Sequence, residues 1–166
     1  LTADRVGETA GPLAEQELQE RELTIGSWLE GLSGQGVGVA GVERVMDQPR
    51  TWYVRMDGEE KTHFSMLVKL DQRTLQFESY FMPAPQENHA ELFRHLLVRN
   101  RRLHDLSFSV GSVLGDDNDG VYLVGRVDSR AVSPDVLDQI LGSVWMATEQ
   151  CFRPAMRIGF ASRFQS

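Results

Sequence analysis

The sequence predicts an α+β fold, a twisted antiparallel sheet of about five strands with helices packed against it in the order α-βββ-α-ββ-α. Three observations carry this. Period-two alternation with one greasier parity recurs over residues 52–56, 64–70 and 75–81, as in strands covered on one side. Apolar stripes at helical spacing lie before, between and after the strand-like runs. The order of these elements along the chain is that of an α+β domain.

Residues 1–11 lack periodicity and read as a loose tail, so residues 12–166 are expected to form a single domain, a length one core can serve (roughly 100–200 residues). From Pro12 a helix is expected, with Leu18, Ile25, Trp28, Leu29 and Leu32 on one stripe and Gly26 marking a place for a kink. Gly31, Gly34, Gly36, Gly38 and Gly41 then end the helix in a glycine loop. In the first strand Trp52, Val54 and Met56 alternate with Tyr53 and Arg55, ahead of the hairpin signal Asp57-Gly58. In the second, Phe64, Met66, Val68 and Leu70 alternate with Ser65, Leu67 and Lys69. A turn at Asp71-Gln72-Arg73 leads to the third, where Leu75, Phe77, Ser79 and Phe81 alternate with Gln76, Glu78 and Tyr80. Pro83 and Pro85 stop it, because proline supplies no ladder donor.

Residues 87–103 read as the next helix, with Phe93, Leu96, Leu97 and Leu103 on the apolar face and Leu92 at its margin. Arg94, Arg99, Arg101, Arg102 and His95 occupy the other face, solvated or paired with the acidic first helix. Strands Leu106–Leu114 and Val121–Val127 follow, joined by Asp116-Asp117-Asn118-Asp119-Gly120. Ser133-Pro134-Asp135 starts the last helix with a hydroxyl cap, a proline suited to the first turn and an early acid. Leu137, Ile140, Leu141, Val144 and Trp145 form its buried stripe. From Arg153-Pro154 to Ser166 the signals do not place an element.

Composition narrows the function. A 41% hydrophobic, 25% charged chain is not disordered throughout, and no apolar run approaches the ~18 residues of a membrane span. One cysteine excludes an internal disulfide framework and fits a reducing, cytoplasmic setting. The net charge is −7, of which −4 falls in residues 1–22, so a nucleic-acid backbone is not the expected partner. Bases are 15 Arg and two Lys, Lys61 and Lys69, a bias that points to a GC-rich bacterial source. The chain opens on Leu1 rather than Met and reads as trimmed.

No motif declares an enzyme. Gly36-Val37-Gly38-Val39-Ala40-Gly41 has the letters of a dinucleotide fingerprint but follows a helix and precedes strands, the reverse of the working context. Asp116, Asn118 and Gly120 imitate the start of a calcium loop, but Val127 stands where the bidentate Glu belongs. His63, His89, His95 and His104 lack metal-ligand spacing, Glu59-Glu60 reads as a solvated turn, and Cys151 reads as a small buried thiol. No cofactor is expected. Asn100, inside the apolar arc of its helix, reads as a cap or anchor whose amide must find partners.

The segment Phe81-Met82-Pro83-Ala84-Pro85, with Asn88, Leu96-Leu97 and Asn100, resembles the signature of the YbjN family in its actinobacterial form. Trp52-Tyr53-Val54-Arg55, Gln72-Arg73-Thr74-Leu75, Val121-Tyr122-Leu123-Val124-Gly125-Arg126 and Ile158-Gly159-Phe160 are similar as well, so the likeness spans about residues 28–160. The resemblance implies a fold like the type III secretion chaperones, no established catalytic residues, and a role loosely described as sensory or stress regulation. It also implies binding of extended protein segments and dimer formation. Met82, Pro83, Pro85, Asn88, Leu96, Leu97 and Asn100 are then structural or partner-binding residues.

The expectation is a cytoplasmic, non-enzymatic regulatory domain that binds a protein partner or a second copy of itself, with no nucleic acid and no membrane. Tyr53, Leu67, Tyr80 and Tyr122 fall on the less apolar parity of their strands and are the candidate interface of a homodimer. The alternative is a small-ligand sensor with a pocket between helices and sheet.

Overall fold

The computed structural model describes residues 11–32, 38–115 and 119–165, so the expected tail over 1–10 lies outside the described residues. The elements are α1 (Glu15–Leu32), β1 (Val39–Arg44), β2 (Thr51–Met56), β3 (Phe64–Leu70), β4 (Thr74–Met82), α2 (His89–Asn100), β5 (Leu106–Val110), β6 (Val121–Asp128) and α3 (Pro134–Gly159). The six strands form one antiparallel sheet in the order β1-β2-β3-β4-β6-β5. This is the expected α+β architecture with one strand more.

Alternation sets which face is covered. Trp52, Val54 and Met56, then Phe64, Met66, Val68 and Leu70, then Leu75 and Phe77 are buried beneath Leu18, Ile25 and Leu29 of α1 and the apolar stripe of α3. The register lines them up, with Trp52 opposite Val68, Val68 opposite Phe77, and Phe77 opposite Gly125. A side chain at Gly125 would collide with the Phe77 ring and the Asp105 carbonyl. At the end of β4 the register with β6 shifts between Tyr80 and Met82. This bulge lets Phe81 and its neighbour Met82 both turn inward, where strict alternation would expose one.

The added strand, β1, occupies part of the expected glycine loop. Gly38 (φ 77°) turns the chain into it, and a register shift between Val39 and Gly41 breaks the alternation that would have revealed it. Gly38, Val39 and Gly41 therefore belong to a loop-to-strand passage, not to the strand-to-helix turn a dinucleotide site needs; Gly36 and Val37 lie outside the described residues. Arg44 at the end of β1 lies over the Trp52 ring, 5.4 Å from its centroid, and pairs with Glu22 of α1.

Other boundaries move for local reasons. α1 starts at Glu15 rather than Pro12, since the Leu13 N–H is taken by the Gln72 carbonyl at 2.9 Å, and it runs through Gly26 to Leu32. Asp57-Gly58 opens a longer loop held by α3: Trp145 Nε1 donates to the Asp57 carbonyl at 3.1 Å, and Glu149 Oε2 accepts the N–H groups of Glu59 and Glu60 at 3.1 and 2.8 Å. α2 covers only His89–Asn100, and its start is set by Asn88, which is left-handed (φ 54°). β5 stops at Val110, so its expected extension to Leu114 is instead a loop. α3 begins as expected, with Ser133 Oγ accepting the Val136 N–H at 3.2 Å. It continues through Pro154 to Gly159, with Pro154 on the exposed side, where the freed carbonyl one turn back can meet water.

Candidate functional site

The helices cover one face of the sheet and leave the other open. On the open face the pairings put Tyr53 opposite Leu67, Leu67 opposite Glu78, and Tyr80 opposite Tyr122. The four expected interface residues are thus brought together. They line one hollow of about 300 Å³ with Ser65, Glu78, Ser112 and Gly115. Tyr53 and Tyr80 are 39% and 42% exposed, while Tyr122 is buried and meets Tyr80 edge to face at 5.4 Å. Burial, with a smaller contribution from Tyr122, pushes the Tyr80 phenol above its ordinary pKa, so it stays neutral.

Glu78 is the unexpected member. Its parity places it outward, yet it is only 5% exposed. The loop after β5 crosses the open face and binds it: Ser112 Oγ donates to Oε1, and the N–H groups of Val113 and Leu114 donate to Oε2 at 2.8 and 2.9 Å. All three donors are neutral, and among the described residues no Lys or Arg lines the hollow. Ser112 in turn accepts the Gly115 N–H at 2.8 Å. Asp116 and Asn118, the calcium-like residues, lie outside the described residues; Asp119 is exposed.

Lys61 is a second residue that no sequence pattern marks. From the β2–β3 loop its Nζ donates to the Tyr80 and Phe81 carbonyls at 2.9 and 2.8 Å and lies 5.2 Å from the ring centroids of both Tyr80 and Phe152. Desolvation lowers its pKa to about 8. The scarcity of lysine in an arginine-rich chain is the one hint the sequence offers.

The signature residues form a separate corner. Met82 and Pro85 are buried and Pro83 is exposed. Gln86 and Glu87 N–H groups both donate to the Gly159 carbonyl, at 3.0 and 3.1 Å, and Asn88 Nδ2 donates to the Ile158 carbonyl at 2.9 Å. A Cβ on Gly159 would lie 3.0 Å from that of Pro85, so this strap packs closely against the helix there. Asn88 braces the strap and makes no side-chain cap to α2. Asn100 is an anchor: its amide pairs with the backbone of Phe108, and the left-handed conformation belongs to Asn88, not to it. Leu92 and Leu96 face the core, whereas Leu97 is 63% exposed, correcting the expected helix face by roughly one position.

On the outer side of α2, Ala90, Phe93, Leu97 and Val98 border a shallow groove with Arg94 and Arg101. The arginines of α2 do not reach the acidic helix. Glu17 and Glu22 of α1 pair with Arg130 and Arg44, and among the described residues Arg94, Arg99, Arg101 and Arg102 make no ion pair. His95 is half-buried with its pKa lowered by desolvation and then by Arg99. His63 meets Asp57 at 3.0 Å, and Glu60 pairs with Arg153 at 2.7 Å. Cys151 is buried on the apolar side of α3, as expected, and burial raises its thiol pKa. A cleft of about 640 Å³ between α1, β1 and α3 is lined by Leu32, Val39, Met56, Leu141, Trp145 and Met146, with Asp57, Glu59 and Asp138 also in its wall. Among the described residues no group of three His, Cys, Asp or Glu side chains is placed to hold a metal, and no helix is long and apolar enough to cross a membrane.

Residues 32–155 match the model of the YbjN family, described as "Putative bacterial sensory transduction regulator". The chain is 34% identical over 112 residues to the uncharacterized protein ML2442 of Mycobacterium leprae, covering 68% of this chain and 58% of that protein. It is 31% identical over 117 residues to the uncharacterized protein Rv0487 of Mycobacterium tuberculosis, covering 70% of this chain and 61% of that protein. The chain therefore spans less than two thirds of the length of these relatives.

Proposed function

The chain belongs to the YbjN family, and from that premise we propose that it is a regulatory domain that acts by binding protein rather than by catalysis. The observation that supports this is the open face of the sheet. Tyr53, Leu67 and Tyr80 are larger and greasier than a solvated face needs, and they gather around one hollow. Aromatic residues so placed are enriched at the cores of interfaces. A partner polypeptide or a second copy of the chain is the proposed occupant, and a reducing, cytoplasmic setting suits the lone buried thiol of Cys151.

The test places a photo-reactive phenylalanine analogue at position 53, with position 30 on the exposed side of α1 as control. A discrete cross-linked species formed in the native cell from position 53 and not from position 30 is the expected result. Equal labelling from both positions would remove the open face as the binding surface.

A small-ligand sensor is the second reading, favoured by the apolar cleft between α1, β1 and α3. A ligand bound there would contact Trp145, so quenching or enhancement of tryptophan emission on binding, lost in Trp145→Phe, would select this reading.

A further inference from the structure

All three tyrosines of the chain, Tyr53, Tyr80 and Tyr122, line the same hollow. Their arrangement is specific. Tyr80 and Tyr122 stand nearly perpendicular, edge to face, 74° between planes at 5.4 Å, and both line the hollow. Tyr53 comes from β2, across Leu67 of β3. Ring faces carry negative potential. Beside them Glu78 is buried with three neutral donors and, among the described residues, no cation in the lining. Neutral donors satisfy its oxygens without a counter-charge, and partial exclusion of water lets a carboxylate's field act over a longer distance.

We infer that this hollow receives a compact organic cation, a trimethylammonium group or the guanidinium of an arginine. The inference deepens the reading of the open face as a binding face and rests on it. An anion would meet the ring faces and Glu78 with repulsion. An uncharged apolar group would gain contact but no electrostatic attraction. A cation gains from both, which is the physics of aromatic cages. Lys61 displays the same preference in miniature, its ammonium 5.2 Å from the Tyr80 centroid; it is tied to the Tyr80 and Phe81 carbonyls and does not line the hollow. The volume of about 300 Å³ lies at the lower end of small-ligand sites, about 300–1,000 Å³, so it suits a single cationic group.

The experiment follows the tyrosine ring signals of the whole chain by NMR while three compounds are titrated in parallel. They are choline, its uncharged isostere 3,3-dimethylbutan-1-ol, and N-acetylarginine amide. At least one cation is expected to shift the three tyrosine signals to saturation with a millimolar Kd, while the isostere leaves them in place. Tyr53→Leu, a change at an exposed rim position, is expected to weaken that binding about tenfold through loss of one ring face. A response to choline alone identifies a free quaternary ammonium, and a response to the arginine derivative alone identifies a partner's side chain. Absence of saturable shifts with either cation, or equal shifts with the isostere, overturns the inference. The cross-link from position 53 is read separately, so loss of the cation site and loss of the binding face are distinguishable.

Discussion

The side chain of Asn100 pairs with the backbone of Phe108 as a neighbouring strand would. Its Oδ1 accepts the Phe108 N–H at 2.7 Å, and its Nδ2 donates to the Phe108 carbonyl at 3.3 Å. β5 is the edge strand beyond β6, so this single amide occupies the open side of the sheet and fastens the end of α2 to it. Asn100→Ala leaves both part-buried backbone groups without that partner and is expected to cost about 1–2 kcal/mol, read as a lower urea midpoint with unchanged slope. Asn100→Asp keeps the acceptor and loses the donor, so it is expected to lie between the two; wild-type stability in both variants would remove the anchoring role.

Asn88 makes a different prediction because its backbone is the constraint. At φ 54° an alanine is strained, and the bond from Nδ2 to the Ile158 carbonyl is lost as well. Asn88→Ala is expected to cost about 1–2 kcal/mol, and Asn88→Gly, which loses the bond but relieves the backbone, about 0.5–1 kcal/mol. Thermal unfolding that ranks glycine below alanine would contradict the strap geometry.

Lys61 gives the stability a pH dependence of defined sign. Its folded pKa of about 8 lies below its ordinary value of 10.5. Between those values the unfolded chain holds more protons than the folded one, so the contribution of this group to stability rises as pH rises from 8. The Tyr80 phenol, raised above its ordinary 10.0, works in the opposite sense above that pH. Denaturation midpoints measured from pH 8 to 10 should therefore climb less, or fall more, in Lys61→Met than in the wild type. Parallel curves would show that the lysine titrates normally.

Self-association is expected through the open face. At roughly tens of micromolar protein, sedimentation equilibrium should show dimer for the wild type and monomer for the double variant Tyr53→Ser, Tyr80→Ser. Added salt should change the constant only modestly, since apolar contacts would dominate and exposed ion pairs contribute about 0–1 kcal/mol each. Monomer alone at both low and high salt would eliminate the dimer.

Local rules carried much of the fold. The alternation of residues 64–70 and 75–81 appears as β3 and β4, and Ser133-Pro134 starts α3 as its cap chemistry requires. The failures share a cause in long-range packing. Gly41 and the shifted register of β1 hide its period, and the exposed position of Pro154 lets α3 pass a residue that ordinarily ends a helix. At the candidate site the tyrosines were legible because strand parity places them on one face. Glu78 was not, since its burial depends on a loop 34 to 36 residues away, and no periodicity in β4 encodes that. Leu97 failed for a smaller reason: the helical wheel gives an arc, and only the packing of α2 on α3 and β5 fixes where the arc is centred.

The pairing of β4 with β6 has a consequence for synthesis. Strands β1 to β4 zip with sequence neighbours as they emerge, but the free side of β4 must wait for α2 and β5 to be laid down before β6 arrives to close it. Contacts that close long loops form late, and an open strand edge is a template for other chains. The half-made sheet, ending in an unpaired β4, is thus the adhesive species in the life of this chain, and β6 is the stroke that seals it.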